Sequence, residues 1–266
     1  MSATRPLGDN PRMFERQRSG SVLCPGCGSL VGVNDDVCLT CGRRKPGLFG
    51  FAALLRKTGE DMGFLTLVLG ACGLLFVATL ASSQEIGSGS FDFLSPDSYA
   101  LIRFGGTGAF PVFRLGRWWT VLSYAWLHGG LVHIVFNMMA ARDLIPATAH
   151  LYGAARTVIL YTAAAIGGGA LTSGLAHYEI GVPFLLPGSH LTIGASGSIF
   201  GLLGALAYYA RRSGSRAIGE LIGRWIVMGL AFGLVARADN SAHLGGLAVG
   251  YLLGRWLDPL LPERRA

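Results

Sequence analysis

Six apolar stretches dominate this chain, each close to the roughly 20 residues that a helix needs to cross a bilayer. They fall at 62–81, 126–146, 155–177, 192–210, 217–236 and 241–258. Only 14% of the 266 residues are charged and 51% are hydrophobic, against about 25% charged in ordinary soluble domains. The 40 glycines suit helices that pack closely within lipid. The expected architecture is an all-α membrane protein, a bundle of six transmembrane helices over 62–258.

The remainder divides by composition. Residues 1–20 carry Pro, Gly and Arg with little apolar content and read as a disordered tail. Residues 21–46 hold four cysteines, and 47–61 form a basic linker with Arg56 and Lys57. The first 60 or so residues contain no signal-peptide apolar core. Residues 82–125 mix polar turns with amphipathic pieces such as Trp118-Trp119 and read as an interfacial loop. Residues 259–266 form a short tail. Nine of the 22 Lys and Arg precede the first span, so the positive-inside rule puts both termini in the cytoplasm. Arg211, Arg212, Arg216, Arg264 and Arg265 then also fall inside, whereas Arg103, Arg114 and Arg117 of the first loop run against the trend. The net charge of +7 thus sets topology. No basic patch interleaved with aromatics is present, and a nucleic-acid partner is not expected.

Polar residues are costly inside such spans unless they face a partner or a cavity. With the N-terminus inside, spans two, four and six all run inward, and each carries polar groups near its start: His128, His133 and Asn137; Ser196; His243. A helix beginning at 192 puts Ser196 four or five residues, roughly 6–8 Å, below its outer end. His133 and Asn137, four apart, share one face. These groups converge at one level within reach of water from outside. Gly197 and Gly201 beside the serine, and Gly246, Gly250 and Gly254 after His243, are small faces that allow close approach of spans four and six. A serine with a histidine in reach is the minimal apparatus for attack on a carbonyl.

Three strings carry a more specific message. Gly194-Ala195-Ser196-Gly197, Ala242-His243-Leu244-Gly245-Gly246, and the spaced set His128, His133 and Asn137 together resemble the motifs of the rhomboid family of intramembrane serine proteases. The resemblance covers roughly 62–258. It implies a catalytic dyad, with Ser196 as nucleophile and His243 as general base and then acid. It implies that His133, Asn137 and the Ser196 backbone N–H hold the oxyanion, and that His128 supports the site near the loop. No Asp or Glu is placed to orient His243, so a dyad without a third member is expected. Three positions depart from the family. Gly116-Arg117-Trp118-Trp119 stands where a Trp-Arg pair is common, Ala149 where a Glu is common, and Phe200 where a Tyr often lies under the histidine ring.

Cys24-Pro25-Gly26-Cys27 and Cys38-Leu39-Thr40-Cys41 are two Cys-x-x-Cys hooks, each followed by glycine. Their spacing resembles a short zinc ribbon in which four thiolates hold a structural Zn²⁺. Two disulfides are the competing reading, disfavoured by cytoplasmic placement. The ribbon would bind a cytoplasmic partner or serve as a folded cap. Cys72 reads as packing. Arg224 reads as snorkelling or paired, and His150, His177, His190 and Glu179 receive no chemistry. Phe184-Leu185-Leu186 reads as a lid over the site.

The resulting expectation is an endopeptidase that cuts membrane-anchored proteins near the outer face, needing the bilayer and transmembrane substrates but no cofactor for catalysis. The alternative is a non-catalytic rhomboid-like scaffold that holds client helices. A transporter would show polar residues through the full depth and an internal repeat, and neither is evident in the sequence.

Overall fold

Runs rich in Leu, Ala, Val and Gly satisfy their backbone polar groups internally as helices. The computed structural model describes residues 16–25, 28–52, 60–88, 93–182, 186–236 and 238–259, and the apolar runs form six long helices. These are α1 (Phe64–Ala81), α2 (Leu131–Tyr152), α3 (Ala154–His177), α4 (Ser196–Ser213), α5 (Arg216–Val235) and α6 (Asn240–Leu257). Three of them, α1, α3 and α5, are long and apolar enough to cross a membrane, with mean hydropathies of 2.4, 1.5 and 1.6.

The central helix is α4, buried along most of its length from Gly197 to Ala210. It packs on α6 with backbone in close approach along a glycine seam. A methyl group on Gly250 would stand 1.9 Å from the Gly201 carbonyl oxygen, and one on Gly246 2.0 Å from that of Gly197. Only hydrogen fits at either position, and this close contact brings the two site helices together. Phe64, Val68, Ile145, Leu160, Tyr161, Leu202 and Leu203 fill the core between α1, α2, α3 and α4. Hydroxyl groups tie helix to helix: Tyr152 donates to the Ala205 carbonyl at 2.8 Å and Tyr124 to that of Ala165 at 3.0 Å. By contrast α5 is peripheral, with 11% of its apolar window buried.

Two helix starts differ from the sequence expectation, and both differences follow from glycine. The second span was expected from 126, but Tyr124–Trp126 form a separate 3₁₀ turn, and α2 begins after Gly130 at φ +152°. The fourth was expected from 192, but Gly194 has φ +124° and α4 begins at Ser196 itself. Ser196 therefore opens α4 instead of lying a turn inside it. A loop, rather than preceding helical turns, carries the serine to its place.

Among the described residues of 82–125 there is no long helix. They hold a two-residue hairpin (Ile86–Gly87 with Ser95–Pro96), the short helix Ser98–Phe104 and a wide turn at Phe110–Arg114. Asp97 caps the short helix. The backbone N–H groups of Ala100 and Gln84 hold its carboxyl below the usual range. Arg117 donates to the Ile102 carbonyl at 3.2 Å, which anchors the loop, while Trp118 and Trp119 stay exposed.

Ahead of the helices, β1 (Ser21–Leu23) pairs antiparallel with β2 (Leu30–Gly32). Val22, Val31, Val33 and Ala52 form a small core with Cys24 and Cys38. Contacts of this unit run past the expected bounds of 21–46: the Gln17 N–H donates to the Gly50 carbonyl, and Ala52 is fully buried. Residues 16–20 are thus tied to the unit, while the rest of the expected disordered tail lies outside the described residues. Lys45 pairs with Asp36 and holds that carboxyl below its usual range.

Candidate active site

Ser196 is the first residue of α4, so its own backbone N–H is one of the orphan donors at a helix N-terminus. The loop that delivers it is laced to three neighbours. Gly188 N–H donates to the Ser241 hydroxyl at 3.0 Å, Thr192 and Thr107 exchange backbone bonds, and Gly194 N–H donates to the Tyr124 carbonyl at 3.0 Å. Asp239 gathers the rest. One carboxylate oxygen accepts from the Thr172 and Thr192 hydroxyls, and the other caps α6 at the Ser241 and Ala242 N–H groups.

His243 lies in the first turn of α6 and is buried. Its Nε2 stands 2.8 Å from Ser196 Oγ. Its other nitrogen, Nδ1, is 2.9 Å from the side-chain oxygen of Asn240. Among the described residues, the ring nitrogens thus meet a hydroxyl on one side and a neutral amide on the other. Sequence reasoning passed over Asn240, although its place three residues before His243 puts both on one helix face.

His133 and Ser196 both border Gly194. A Cβ on Gly194 would come within 2.8 Å of His133 Nε2 and 3.6 Å of Ser196 Oγ. The Gly129 N–H donates to His133 Nδ1 at 3.3 Å. In a neutral imidazole that donor places the ring proton on Nε2, the nitrogen facing Gly194 and the serine. Gly129, Val132, His133, Ile193, Ser196, Phe232, Asp239 and Ala242 are among the residues lining a cavity of about 360 Å³.

Residues 115–258 match the family model described as Rhomboid domain. The chain belongs to the rhomboid family. It is 35% identical over 157 residues to Rhomboid protease GluP of Bacillus subtilis, covering 58% of this chain and 28% of that protein. It is also 32% identical over 147 residues to RHOMBOID-like protein 5 of Arabidopsis thaliana, covering 49% and 41%. RHOMBOID-like protein 4 of the same plant is 31% identical over 161 residues, covering 58% and 37%. The alignments span less than half the length of each of these relatives.

Asn137 and His128 both contact His133. Asn137 does not line the cavity; its amide donates to the His133 carbonyl one turn back at 2.9 Å. It therefore braces His133 through one of its two amide N–H groups. His128 is fully buried and meets the His133 ring edge-on at 5.3 Å, so it backs the site from beneath. Residues set aside in the sequence have local partners: His150 with Glu60, His177 stacked on Phe113, and Arg224 with Glu220 at 3.7 Å. Phe184 and Leu185 of the expected lid lie outside the described residues, while Leu186 pairs with Val182.

In the cysteine unit, the described residues flanking the two hooks make matching backbone bonds. Cys24 N–H donates to the Ser29 carbonyl and Gly28 N–H to that of Cys24; Cys38 and Gly42 repeat the pattern with Arg43. The sulfurs of Cys24, Cys38 and Cys41 lie within 4.8 Å of one another, and those of Cys24 and Cys41 are 3.7 Å apart. A tetrahedron of thiolates at the Zn–S distance of 2.3 Å has edges of about 3.8 Å, so the three described cysteines fit a metal. Cys27 lies outside the described residues.

Proposed function

We propose that this rhomboid is an intramembrane serine endopeptidase working through a Ser196–His243 dyad. The observation that carries the reading is the 2.8 Å contact between Ser196 Oγ and His243 Nε2 at the edge of a cavity. Nε2 takes the hydroxyl proton as Oγ attacks the scissile carbonyl. The electron pair moves onto the carbonyl oxygen, where the Ser196 N–H and His133 Nε2–H receive it. Such donors are worth about 2.7–4 kcal/mol each in a dry site. The intermediate collapses, His243 returns the proton to the leaving amine, and an ester remains on Ser196. Water then attacks that ester with His243 again as base, which releases the acid product and restores the serine.

All six long helices are read as spans, with α1, α3 and α5 meeting lipid and α2, α4 and α6 lining the site. The charge pattern supports cytoplasmic termini and a cavity opening toward the outer face. A substrate helix must unwind there to offer its carbonyl, since helical backbone is already paired. The chain divides into a tail at 1–20, a zinc ribbon at 21–46 with contacts reaching 16 and 52, a linker to 61, the membrane unit at 62–258 and a tail at 259–266. Cys24, Cys27, Cys38 and Cys41 would hold a structural Zn²⁺, which supplies folding energy to a unit with so small a core.

Cleavage of a single-span test protein by the purified enzyme in lipid nanodiscs tests the reading. Cleavage by the parent and none by Ser196→Ala or His243→Ala is expected. Binding without cleavage by the parent would favour the scaffold alternative, which holds client helices uncut.

A further inference from the structure

We infer that Asn240 is a positioning residue for His243, and that α5 holds it in place; the inference rests on the proposed dyad. A histidine acts as base toward a serine only when its second nitrogen carries the proton. Asn240 decides that here, because its amide can point only one way. The amide nitrogen donates to the Leu230 carbonyl of α5 at 3.1 Å. An oxygen in that place would face another oxygen, so the amide oxygen must lie toward His243, 2.9 Å from Nδ1. An acceptor on Nδ1 puts the ring proton there and leaves Nε2 free to take the serine's proton.

The pocket around the amide is built to this orientation. Asn240 is 7% exposed. A methyl group on Gly233 would lie 2.2 Å from Asn240 Oδ1 and 3.4 Å from Nδ2. Gly233 is one of two buried residues on α5, a helix that otherwise faces outward. One turn of α5, Leu230 to Gly233, therefore contributes a carbonyl and a vacancy, and both serve Asn240. The path runs from the Leu230 carbonyl through Asn240 and His243 to Ser196, so a peripheral helix sets the tautomer of the general base.

The test uses the full-length protein in nanodiscs with a cleavable single-span protein and a serine-reactive phosphonate. Asn240→Ala should lower kcat with KM nearly unchanged, on the order of 10- to 100-fold, as loss of a histidine's second partner does at metal sites. Phosphonate labelling of Ser196 should slow in step. Asn240→Asp keeps an acceptor for Nδ1 but sets an oxygen against the Leu230 carbonyl, so it should lose less kcat than Asn240→Ala without regaining the parent value. Gly233→Ala should reproduce the Asn240→Ala loss, and the double variant should be no worse than either single one. Unchanged kcat in Asn240→Ala would overturn the inference. So would Asn240→Asp as slow as Asn240→Ala, which would make the Leu230 tie the whole role, or additive losses in the double variant. Should Asn240→Ala not melt cooperatively, the comparison of parent, Asn240→Asp and Gly233→Ala decides. A parent protein whose Ser196 takes no label would overturn the protease reading itself.

Discussion

The ring of Phe200 lies flat against the imidazole of His243, centroids 4.4 Å apart and planes within 3° of parallel. Four residues after Ser196 on α4, Phe200 touches the histidine that touches the serine. Its far edge meets α5, where a Cβ on Gly229 would stand 2.7 Å from Cζ. The imidazole is thus held by a ring on its face and an amide at its edge.

Phe200→Leu should therefore slow cleavage more than it weakens the fold. Leucine keeps apolar volume but not a flat surface, so His243 gains freedom to rotate away from Oγ. A several-fold drop in kcat is expected, with a stability loss of about 1 kcal/mol, read from steady-state kinetics and thermal melting. Unchanged kcat would remove the stack from the mechanism.

His133 and Asn137 should separate in kinetics. His133→Ala removes the Nε2–H donor near the serine and should cost about 10²–10³ in kcat. Asn137→Ala removes only the brace on the His133 carbonyl and should cost distinctly less. Equal losses would mean that Asn137 turns toward the substrate during turnover.

Much of this was legible in sequence, and what was not has a physical cause. Ser196, His243 and the Gly stripes stand out because polar or minimal side chains in apolar runs need a reason. The start of α4 was misread because Thr192-Ile193-Gly194-Ala195 is as apolar as a helix. Only the left-handed φ of Gly194 and the cross-links at Thr107 and Tyr124 exclude one. Asn240 was missed because its meaning lies in Leu230 and Gly233, on another helix. Asn137 shares a helix face with His133, but the bond of its amide to the His133 carbonyl depends on backbone placement that spacing alone does not show.

Gly250→Ala should damage stability and activity together. The added methyl would fall 1.9 Å from the Gly201 carbonyl oxygen, so α4 and α6 must part. Overpacking of this kind costs about 1–3 kcal/mol, and a shift of even a fraction of an ångström acts directly on the Ser196–His243 contact. A lower melting temperature with reduced kcat is expected from parallel melting and cleavage assays.

Metal analysis of the purified chain should find one Zn²⁺, lost in Cys24→Ser. Cleavage of a simple substrate in detergent should barely change in that variant, since the residues around Ser196 and His243 come from the helical unit. Absence of zinc with the thiols paired as disulfides would overturn both the ribbon and its cytoplasmic placement.

The most direct test of the central claim is intact-protein mass spectrometry after exposure to the serine-reactive phosphonate. One adduct is expected, mapped to Ser196, absent in Ser196→Ala and strongly slowed in His243→Ala, because attack needs the hydroxyl and its proton acceptor together. An unlabelled parent protein, or labelling that proceeds at the parent's rate without His243, would contradict it.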